Sequence, residues 1–259
     1  MTESQWKAFS GFRDEFRDMT ENWAEECPHL AKMARKAAEQ AGIPDYPVET
    51  PVVYNTSLDG ISPDDRIKLI VIGDNPGKDE QLAVNRRYLV GQAGKLAENF
   101  FRKNPELDTN FRKNVIILNK TPVHSAKTAM LRKMMAEGGD PVSSLIRKSQ
   151  LWSARKTAEL HRNLCEAAEN GNAPELWLVG YSELKPRGFF SPYRDEFRKT
   201  YGNSGTWKNV LVFQHFSMNR FSIDLKEFRT ENPQLTTGQA LNQLGTIHRD
   251  EIFGYSQLS

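Results

Sequence analysis

The stretch LIVIGDNPGKDEQ (residues 69–81) passes abruptly from an apolar run to a polar loop. Residues 69–72 have the length and composition of a buried strand. Residues 73–77, Gly-Asp-Asn-Pro-Gly, are of the types that make turns. A loop of this kind after a buried strand is an ordinary turn, a phosphate-binding loop or the floor of an active site. Features elsewhere in the sequence are needed to distinguish these three alternatives.

Further apolar runs of strand length indicate a sheet. Residues 67–72, 115–118, 176–179 and 210–213 each fit a short strand. They alternate with helical patterns, the clearest of which cover residues 93–101, 151–168 and 239–252. Short apolar strands alternating with helices are typical of a parallel sheet that is covered on both faces. We therefore predict a three-layer α/β/α domain with a central, mostly parallel four-stranded sheet.

The first 50 residues have a different, helical pattern. An aromatic and apolar stripe recurs at helical spacing and consists of Trp6, Phe9, Phe12, Phe16, Met19 and Trp23. Residues 30–41 form a second predicted helix, which Gly42 and Pro44 end. We predict that residues 1–50 form a helical extension packed on the core, and that residues 51–259 form the α/β/α domain.

Two long segments, residues 123–150 and 181–207, show no strand pattern. We expect them to be irregular, and loops of this length in a compact domain often carry function. Within the first segment, Met130, Met134 and Met135 are spaced as on an amphipathic surface helix.

Composition excludes several classes of protein. The 259 residues carry a formal charge of +2, from 35 basic and 33 acidic side chains, so any contact with nucleic acid must come from local patches. The mean hydropathy is −0.63, no apolar run approaches membrane-spanning length, and residues 1–16 lack the apolar core of a signal peptide. We expect a soluble, cytoplasmic and monomeric protein with no membrane partner. Two cysteines cannot supply four thiolate ligands, and neither a metal nor another cofactor is implied.

Polar residues follow three of the predicted strands at the point where each strand ends. Asp74 and Asn75 follow the first strand, Asn119 follows the second, and His215 follows the fourth. In open α/β sheets, ligands bind in the crevice outside the carboxyl ends of the strands. The sequence therefore predicts that an acid, two amides and a histidine meet in one crevice.

Well-known motifs of other enzyme classes do not fit this loop. Gly73 and Gly77 enclose three residues where a Walker loop needs four, and Lys78 is followed by Asp79 instead of Ser or Thr. The chain has no G-x-G-x-x-G dinucleotide fingerprint, no G-x-S-x-G elbow of a serine hydrolase, and no zinc-deaminase signature.

Four stretches together resemble the uracil-DNA glycosylase superfamily. GDNPG (73–77) is similar to its first motif, G-x-N-P-G, and YLVGQAGKLAENFF (88–101) is similar to the P-F-V-G-x-A-G-x-L-L stretch of its thermophile-type branch. VIILNKTP (115–122) resembles the strand that ends in the base-reading asparagine, and QHFSMN (214–219) resembles the H-P-S motif. Their order and rough spacing agree between residues 67 and 222. The cluster cysteines of the thermophile-type branch are absent.

The resemblance implies a role for each matching residue. His215 would hold the base oxygen on which negative charge develops, and Asn75 would position the attacking water. Asp74 stands where one branch has a glutamate, so Asp74 and Asn75 compete for control of the water. Asn119 would read the edge of the base, because one amide offers both a donor and an acceptor.

Further residues have implied contacts with the base or with DNA. Gly73 and Gly77 would allow close approach of the backbone, and a glycine at position 77 leaves room for a broader range of bases. Ser217 would bind a DNA phosphate. The segment that would enter the duplex when the base leaves it consists of Met218, Asn219 and Arg220. Candidate phosphate contacts are Arg86 and Arg87.

The chain also departs from the family pattern. Phe216 replaces the usual proline after the histidine, and Leu89 aligns with the stacking phenylalanine while Tyr88 takes the place of a proline. Either Tyr88 stacks on the base after a small shift, or the aromatic wall of the pocket is lost.

The resemblance implies a monofunctional glycosylase, without cofactor, that removes uracil or a related deaminated or modified base from DNA. No catalytic lysine is evident in the motifs, so we expect no lyase step. Two rival hypotheses stay open. One is an inactive protein that keeps the fold and binds DNA or damaged bases, and the other is an enzyme that acts on free nucleosides or nucleotides.

Overall fold

A computed structural model describes residues 1–169 and 171–254 of the chain. At its centre lies one sheet of four parallel strands, which are β1 (Leu69–Gly73), β2 (Val115–Asn119), β3 (Glu175–Val179) and β4 (Val210–Phe213). Every residue of β1, β2 and β4 is buried, as expected for a parallel sheet covered on both faces. The predicted three-layer α/β/α class is therefore confirmed, and the sheet is entirely parallel.

Helices flank the sheet, and the first two of them precede its first strand in the chain. They are α1 (Glu3–Glu26), α2 (Leu30–Gln40), α3 (Gln92–Lys103), α4 (Thr128–Glu137), α5 (Gly139–Glu166), α6 (Ser191–Tyr201), α7 (Arg220–Glu231) and α8 (Thr237–Gly254). Within the described ranges, none of these helices is long and apolar enough to cross a membrane.

The strand order determines where a ligand crevice opens. The order across the sheet is β2-β1-β3-β4. The chain therefore passes from β1 to β2 on one side of β1, and then crosses to β3 on its other side. Such a reversal of strand order is the usual position of ligand sites in open α/β sheets. The loop that begins at Asp74 therefore emerges at this position, beside the end of β2.

The aromatic stripe predicted on α1 packs against α5. Helix α1 begins with a capping box, in which the Thr2 hydroxyl accepts from the Gln5 N–H and the Gln5 side chain accepts from the Thr2 N–H. The rings of Phe12 and Phe16 stack on Trp152 of α5, with centroids 6.2 and 5.7 Å away. Trp23 meets the same ring edge-on at 5.5 Å, so one tryptophan joins the N-terminal helix to the core.

The expectation of irregular segments over residues 123–150 and 181–207 is wrong. The first contains α4 and the start of α5, which meet at Gly138 and Gly139, and the second contains α6. The Gly-Gly-Asp-Pro run looks like a loop in the sequence, but Gly139 only turns the chain (φ 67°), and Pro141 lies in the first helical turn, where its missing N–H costs nothing. The sequence pattern does not predict α7 either.

Helix α8 packs closely against β4 at Gly245. A Cβ added there would lie 2.7 Å from Leu211 Cβ and 2.7 Å from Phe213 Cζ, so helix and strand would have to move apart. We expect Gly245→Ala to lower the free energy of unfolding in urea by about 1–3 kcal/mol. Gly238→Ala in the same helix is the control, because a Cβ there meets only Leu107 Cδ2 at 3.9 Å. Equal stability of the two variants would contradict this packing.

Candidate active site

A cavity of about 490 Å³ opens at the carboxyl ends of β1 and β2. This volume is within the usual range of small-molecule sites. Its lining includes many of the residues that the sequence singles out, namely Asp74, Asn75, Gly77, Leu89, Asn119, His215, Ser217 and Met218. The three strand-end motifs therefore meet in one place.

A buried lysine fixes the carboxylate of Asp74. Lys120 is fully buried directly after β2, and its Nζ donates to Asp74 Oδ1 at 2.6 Å and to the Val179 carbonyl at 2.5 Å. A longer contact of 3.4 Å reaches the Gly73 carbonyl. The three protons of the ammonium thus face three acceptors. Burial lowers the pKa of Lys120, and the negative charge of Asp74 opposes that shift.

Gly180, at the end of β3, is shaped around the same carboxylate. Its φ of 99° is in the region that favours glycine, and a Cβ there would lie 2.4 Å from Asp74 Oδ1. Asp74 Oδ2 has only a long contact, 3.4 Å, from the Thr128 hydroxyl. One carboxylate oxygen is therefore held by Lys120, and the other is the freer acceptor.

The side chain of Asn75 is held on both sides of its amide. Its Nδ2 donates to the carbonyl and the hydroxyl of Ser125 at 3.1 and 3.0 Å. Its Oδ1 accepts from the Thr128 hydroxyl at 3.0 Å. Ser125 and Thr128 therefore fix Asn75 in the cavity wall and engage its polar atoms.

The hydrogen bonds of His215 define its protonation. The backbone N–H of Ser217 donates to Nδ1 at 3.0 Å, and the Ser217 hydroxyl lies 2.8 Å from the same atom. Because a backbone N–H can only donate, Nδ1 accepts, and the ring proton is on Nε2. Burial lowers the pKa of His215, with Asp74 opposing and Lys120 reinforcing the shift. His215 is thus a neutral Nε2–H donor.

Asn119 presents an unpaired amide donor. It is 6% exposed and lines the cavity, and its Nδ2 is buried without a hydrogen-bond partner. Its Oδ1 lies 2.4 Å from where a Cβ on Gly73, its neighbour in β1, would stand, so a side chain at position 73 would displace the Asn119 amide. A Cβ on Gly77 would meet nothing within 4 Å, which leaves the cavity open on that side.

Tyr88 does not reach the cavity. Its ring is fully buried and its O–H donates to the Val53 carbonyl at 2.5 Å, so of the two alternatives the structure favours the one in which the cavity lacks this aromatic wall. Leu89 lines the cavity instead, in a left-handed conformation with φ 51°. Neither Arg86 nor Arg87 is part of the cavity wall, and Arg87 lines a separate cavity beside β2.

The segment after His215 forms an exposed turn at the mouth. Met218 and Asn219 have φ of 52° and 56°, and Met218 is 78% exposed although it is apolar. Met218 borders both the cavity and a neighbouring one of about 580 Å³, which Arg220 also lines. The Ser217 hydroxyl, expected to bind phosphate, lies against His215.

The sequence analysis missed several residues that build this site, namely Glu80, Lys120, Ser125, Thr128 and Gly180. Lys120 could have been found from its position directly after Asn119, and Gly180 from its position after the third strand. Within residues 1–169 and 171–254, no group of three or more His, Cys, Asp or Glu side chains could hold a metal ion.

Comparison of the chain with protein-family models, with curated proteins and with solved structures finds no match. The likeness to the uracil-DNA glycosylase superfamily therefore rests on the motifs themselves.

The buried His124, which contacts the loop after β1, makes the stability of the protein depend on pH. It is fully buried, with Nδ1 2.9 Å from the Pro76 carbonyl and Nε2 2.9 Å from the Tyr46 hydroxyl, and burial lowers its pKa from 6.5 to about 4. The unfolded chain therefore binds a proton more readily than the folded protein between these two pKa values. The stability that neutral His124 contributes is complete above pH 6.5 and is lost as the pH falls through about 4.

Between pH 6.5 and 4, we expect the unfolding free energy of His124→Gln to decrease by about 3 kcal/mol less than that of wild type. Urea unfolding over a pH series measures this. His161, whose pKa burial also lowers to about 4, keeps its own share of the slope in both proteins. His29→Gln, at an exposed position, should follow the wild-type curve. A His124→Gln curve parallel to wild type would refute the assignment.

Lys120→Met tests the buried ion pair. It leaves the Asp74 carboxylate, whose side chain is only 12% exposed, without its cation. We expect a loss of about 3–5 kcal/mol in unfolding free energy, and a smaller loss when Asp74→Asn is added, because the double variant buries no unpaired charge. Lys133→Met, at an exposed position, controls for the change of residue type. Additive losses in the double variant would show that the two side chains are not coupled.

Proposed function

We propose that this protein is a monofunctional DNA glycosylase that hydrolyses the N-glycosidic bond of uracil or a related deaminated or modified base in DNA. One observation carries the proposal: a neutral histidine donor, an unpaired amide donor and a carboxylate line a single cavity, at His215, Asn119 and Asp74. These are the groups that the reaction needs, and they come from the ends of three different strands.

The chemistry gives each group a task. When the bond between base and sugar breaks, its electron pair goes to the base, and positive charge develops on the sugar. The Nε2–H of His215 stabilises the base oxygen that becomes negative, and Asn119 donates to the base edge. A water adds to the anomeric carbon and gives up a proton. The released base takes up a proton from solvent, so no metal or redox step is needed for balance.

The contacts favour Asp74 over Asn75 as the residue that controls the water. The amide of Asn75 is engaged by Ser125 and Thr128, and an amide cannot accept a proton from water in any case. Asp74 keeps one oxygen with only a long contact, and Lys120 holds the carboxylate in place. We assign proton acceptance to Asp74, and to Asn75 the shaping of the wall beside it.

The exposed turn fits the need to extract a base from DNA. A base inside a duplex reaches such a cavity only by rotating out of the stack. Met218 is an exposed apolar side chain at the cavity mouth, on a backbone with positive φ. We infer that the Met218 side chain fills the gap that the extracted base leaves in the stack.

One observation favours the rival in which the substrate is a free nucleoside. The neighbouring cavity is lined by the carboxylates of Glu183, Asp224 and Glu227, with Arg220 as its cationic side chain. Carboxylates repel the phosphates of a polynucleotide. If the sugar side of the substrate faces this cavity, a nucleoside without phosphate fits it better than a strand does.

Base release from a defined panel tests the proposal. The substrates are oligonucleotides with uracil, hypoxanthine, xanthine or hydroxymethyluracil, single-stranded and opposite each base, together with free deoxyuridine. We expect release by wild type, lower by about 10²–10³-fold in His215→Ala and by about 10²–10⁴-fold in Asp74→Asn. Asn75→Ala should lose less than Asp74→Asn. His29→Ala and Asp45→Asn, both at exposed positions, should match wild type.

The other outcomes separate the rivals. Salt-sensitive binding of DNA with no release from any substrate would overturn the proposal in favour of an inactive binding protein. Release from deoxyuridine alone, with no preference for polymeric DNA, would overturn it in favour of a nucleoside hydrolase.

A further inference from the structure

Glu80 joins two segments of the cavity wall. It is 7% exposed and lines the cavity, and the chemistry described above does not use it. Its Oε2 accepts the backbone N–H of Gly77 at 3.1 Å, and its Oε1 accepts the backbone N–H of Leu89 at 2.9 Å. One carboxyl group therefore ties the loop after β1 to the residue that forms the wall before α3. We call this arrangement the Glu80 clasp.

The clasp holds a residue in a strained conformation. Leu89 has φ 51°, a left-handed conformation that is strained for a branched side chain and persists only where its surroundings enforce it. Its N–H is bound by Glu80, and its carbonyl accepts from Arg112 Nη2 at 2.6 Å. Gly94 lies against the same carbonyl, because a Cβ there would be 1.5 Å from the oxygen. The backbone of Leu89 is thus fixed on three sides.

The strain has a visible result at the cavity. The Leu89 side chain is buried in the wall, and Gly77, the other end of the clasp, borders open space. Both residues are bound to the same carboxyl group, so they form adjacent parts of the cavity wall. Backbone strain that several contacts enforce is common at ligand sites, where it serves to pre-organise the wall.

We propose that Glu80 is a positioning residue that sets which bases the cavity accepts, by holding Leu89 as a fixed part of the wall next to the open space at Gly77. This inference rests on the proposed function. A rigid wall admits a base that fits the space beside it and rejects a base with added bulk at that point. Loosening the clasp lets Leu89 retreat and weakens that rejection.

The carboxylate is specifically required for both contacts. An amide in place of Glu80 has one acceptor oxygen, and its NH₂ group would face a second N–H donor, so Glu80→Gln can keep one contact only. Burial raises the pKa of Glu80 to about 7, while the N–H groups of Gly77 and Leu89 oppose the shift. Glu80 is 7% exposed, so solvent reaches only a small part of its carboxyl group.

The experiment measures discrimination between bases that differ in bulk. Wild type, Glu80→Gln and Leu89→Gly act on oligonucleotides that carry uracil or thymine opposite guanine, and kcat/KM is compared. We expect Glu80→Gln to change the uracil-to-thymine ratio in favour of thymine by about tenfold or more. Leu89→Gly should do the same, and adding Glu80→Gln to it should change the ratio no further, because Glu80 acts through Leu89.

Glu175→Gln is the matched control. Glu175 is also a carboxyl group with a pKa raised by burial, it accepts from Trp177 Nε1 at 2.8 Å, and it lies at the opposite end of the sheet, where β3 begins. Its replacement should leave the ratio within about twofold of wild type. Thermal unfolding of each variant confirms that the compared proteins are folded at the assay temperature.

Binding of free uracil and free thymine, measured by calorimetry, separates the two proposals. If wild type releases no base from DNA but Glu80→Gln changes the ratio of the two affinities, the proposed function fails and the clasp stands. If base is released and Glu80→Gln leaves the ratio unchanged, the clasp is refuted and the function stands. If wild type neither releases nor binds a base, both fail.

Discussion

The rest of the site depends on one buried ammonium group. Burying a charged lysine costs several kcal/mol, and only well-placed acceptors offset that cost. Lys120 finds them where β1 and β3 end, in the carbonyls of Gly73 and Val179, and in the carboxylate of Asp74. The same group therefore joins the ends of neighbouring strands and holds the carboxyl group of Asp74 at the carboxyl end of the sheet. Gly180 is a consequence, because a side chain there would occupy the position of the carboxylate.

The ion pair also governs the state of the histidine. An isolated carboxylate near His215 would favour the imidazolium form, whereas Lys120 acts in the opposite direction. With the two charges together, burial decides, and the pKa of His215 is lowered. The Ser217 N–H then selects the tautomer. A neutral donor that is fixed in orientation is thus obtained from one buried pair and one backbone contact.

The sequence predicts the parts of this protein that depend on local pattern. Apolar runs specify the four strands, and polar residues at their ends specify that Asp74, Asn119 and His215 meet. The buried charges of Lys120 and Glu80 cannot be predicted in this way, because a lysine or glutamate in sequence is normally a surface residue, and its burial depends on acceptors or donors that lie far away in the chain. The burial of Tyr88 is equally hidden in the sequence, because its hydroxyl binds the carbonyl of Val53, 35 residues earlier in the chain.

Left-handed backbone occurs at two places around the cavity, and the two places differ in how firmly their surroundings hold them. Leu89 is buried, and side chains bind both its N–H and its carbonyl. Met218 and Asn219 are exposed, and α7 begins after them without a side-chain cap. A strained residue that is bound on every side is rigid, whereas one in an exposed turn moves at low cost. The cavity therefore combines a fixed wall with an adaptable mouth, which is the combination that the proposed selection of a base by shape requires.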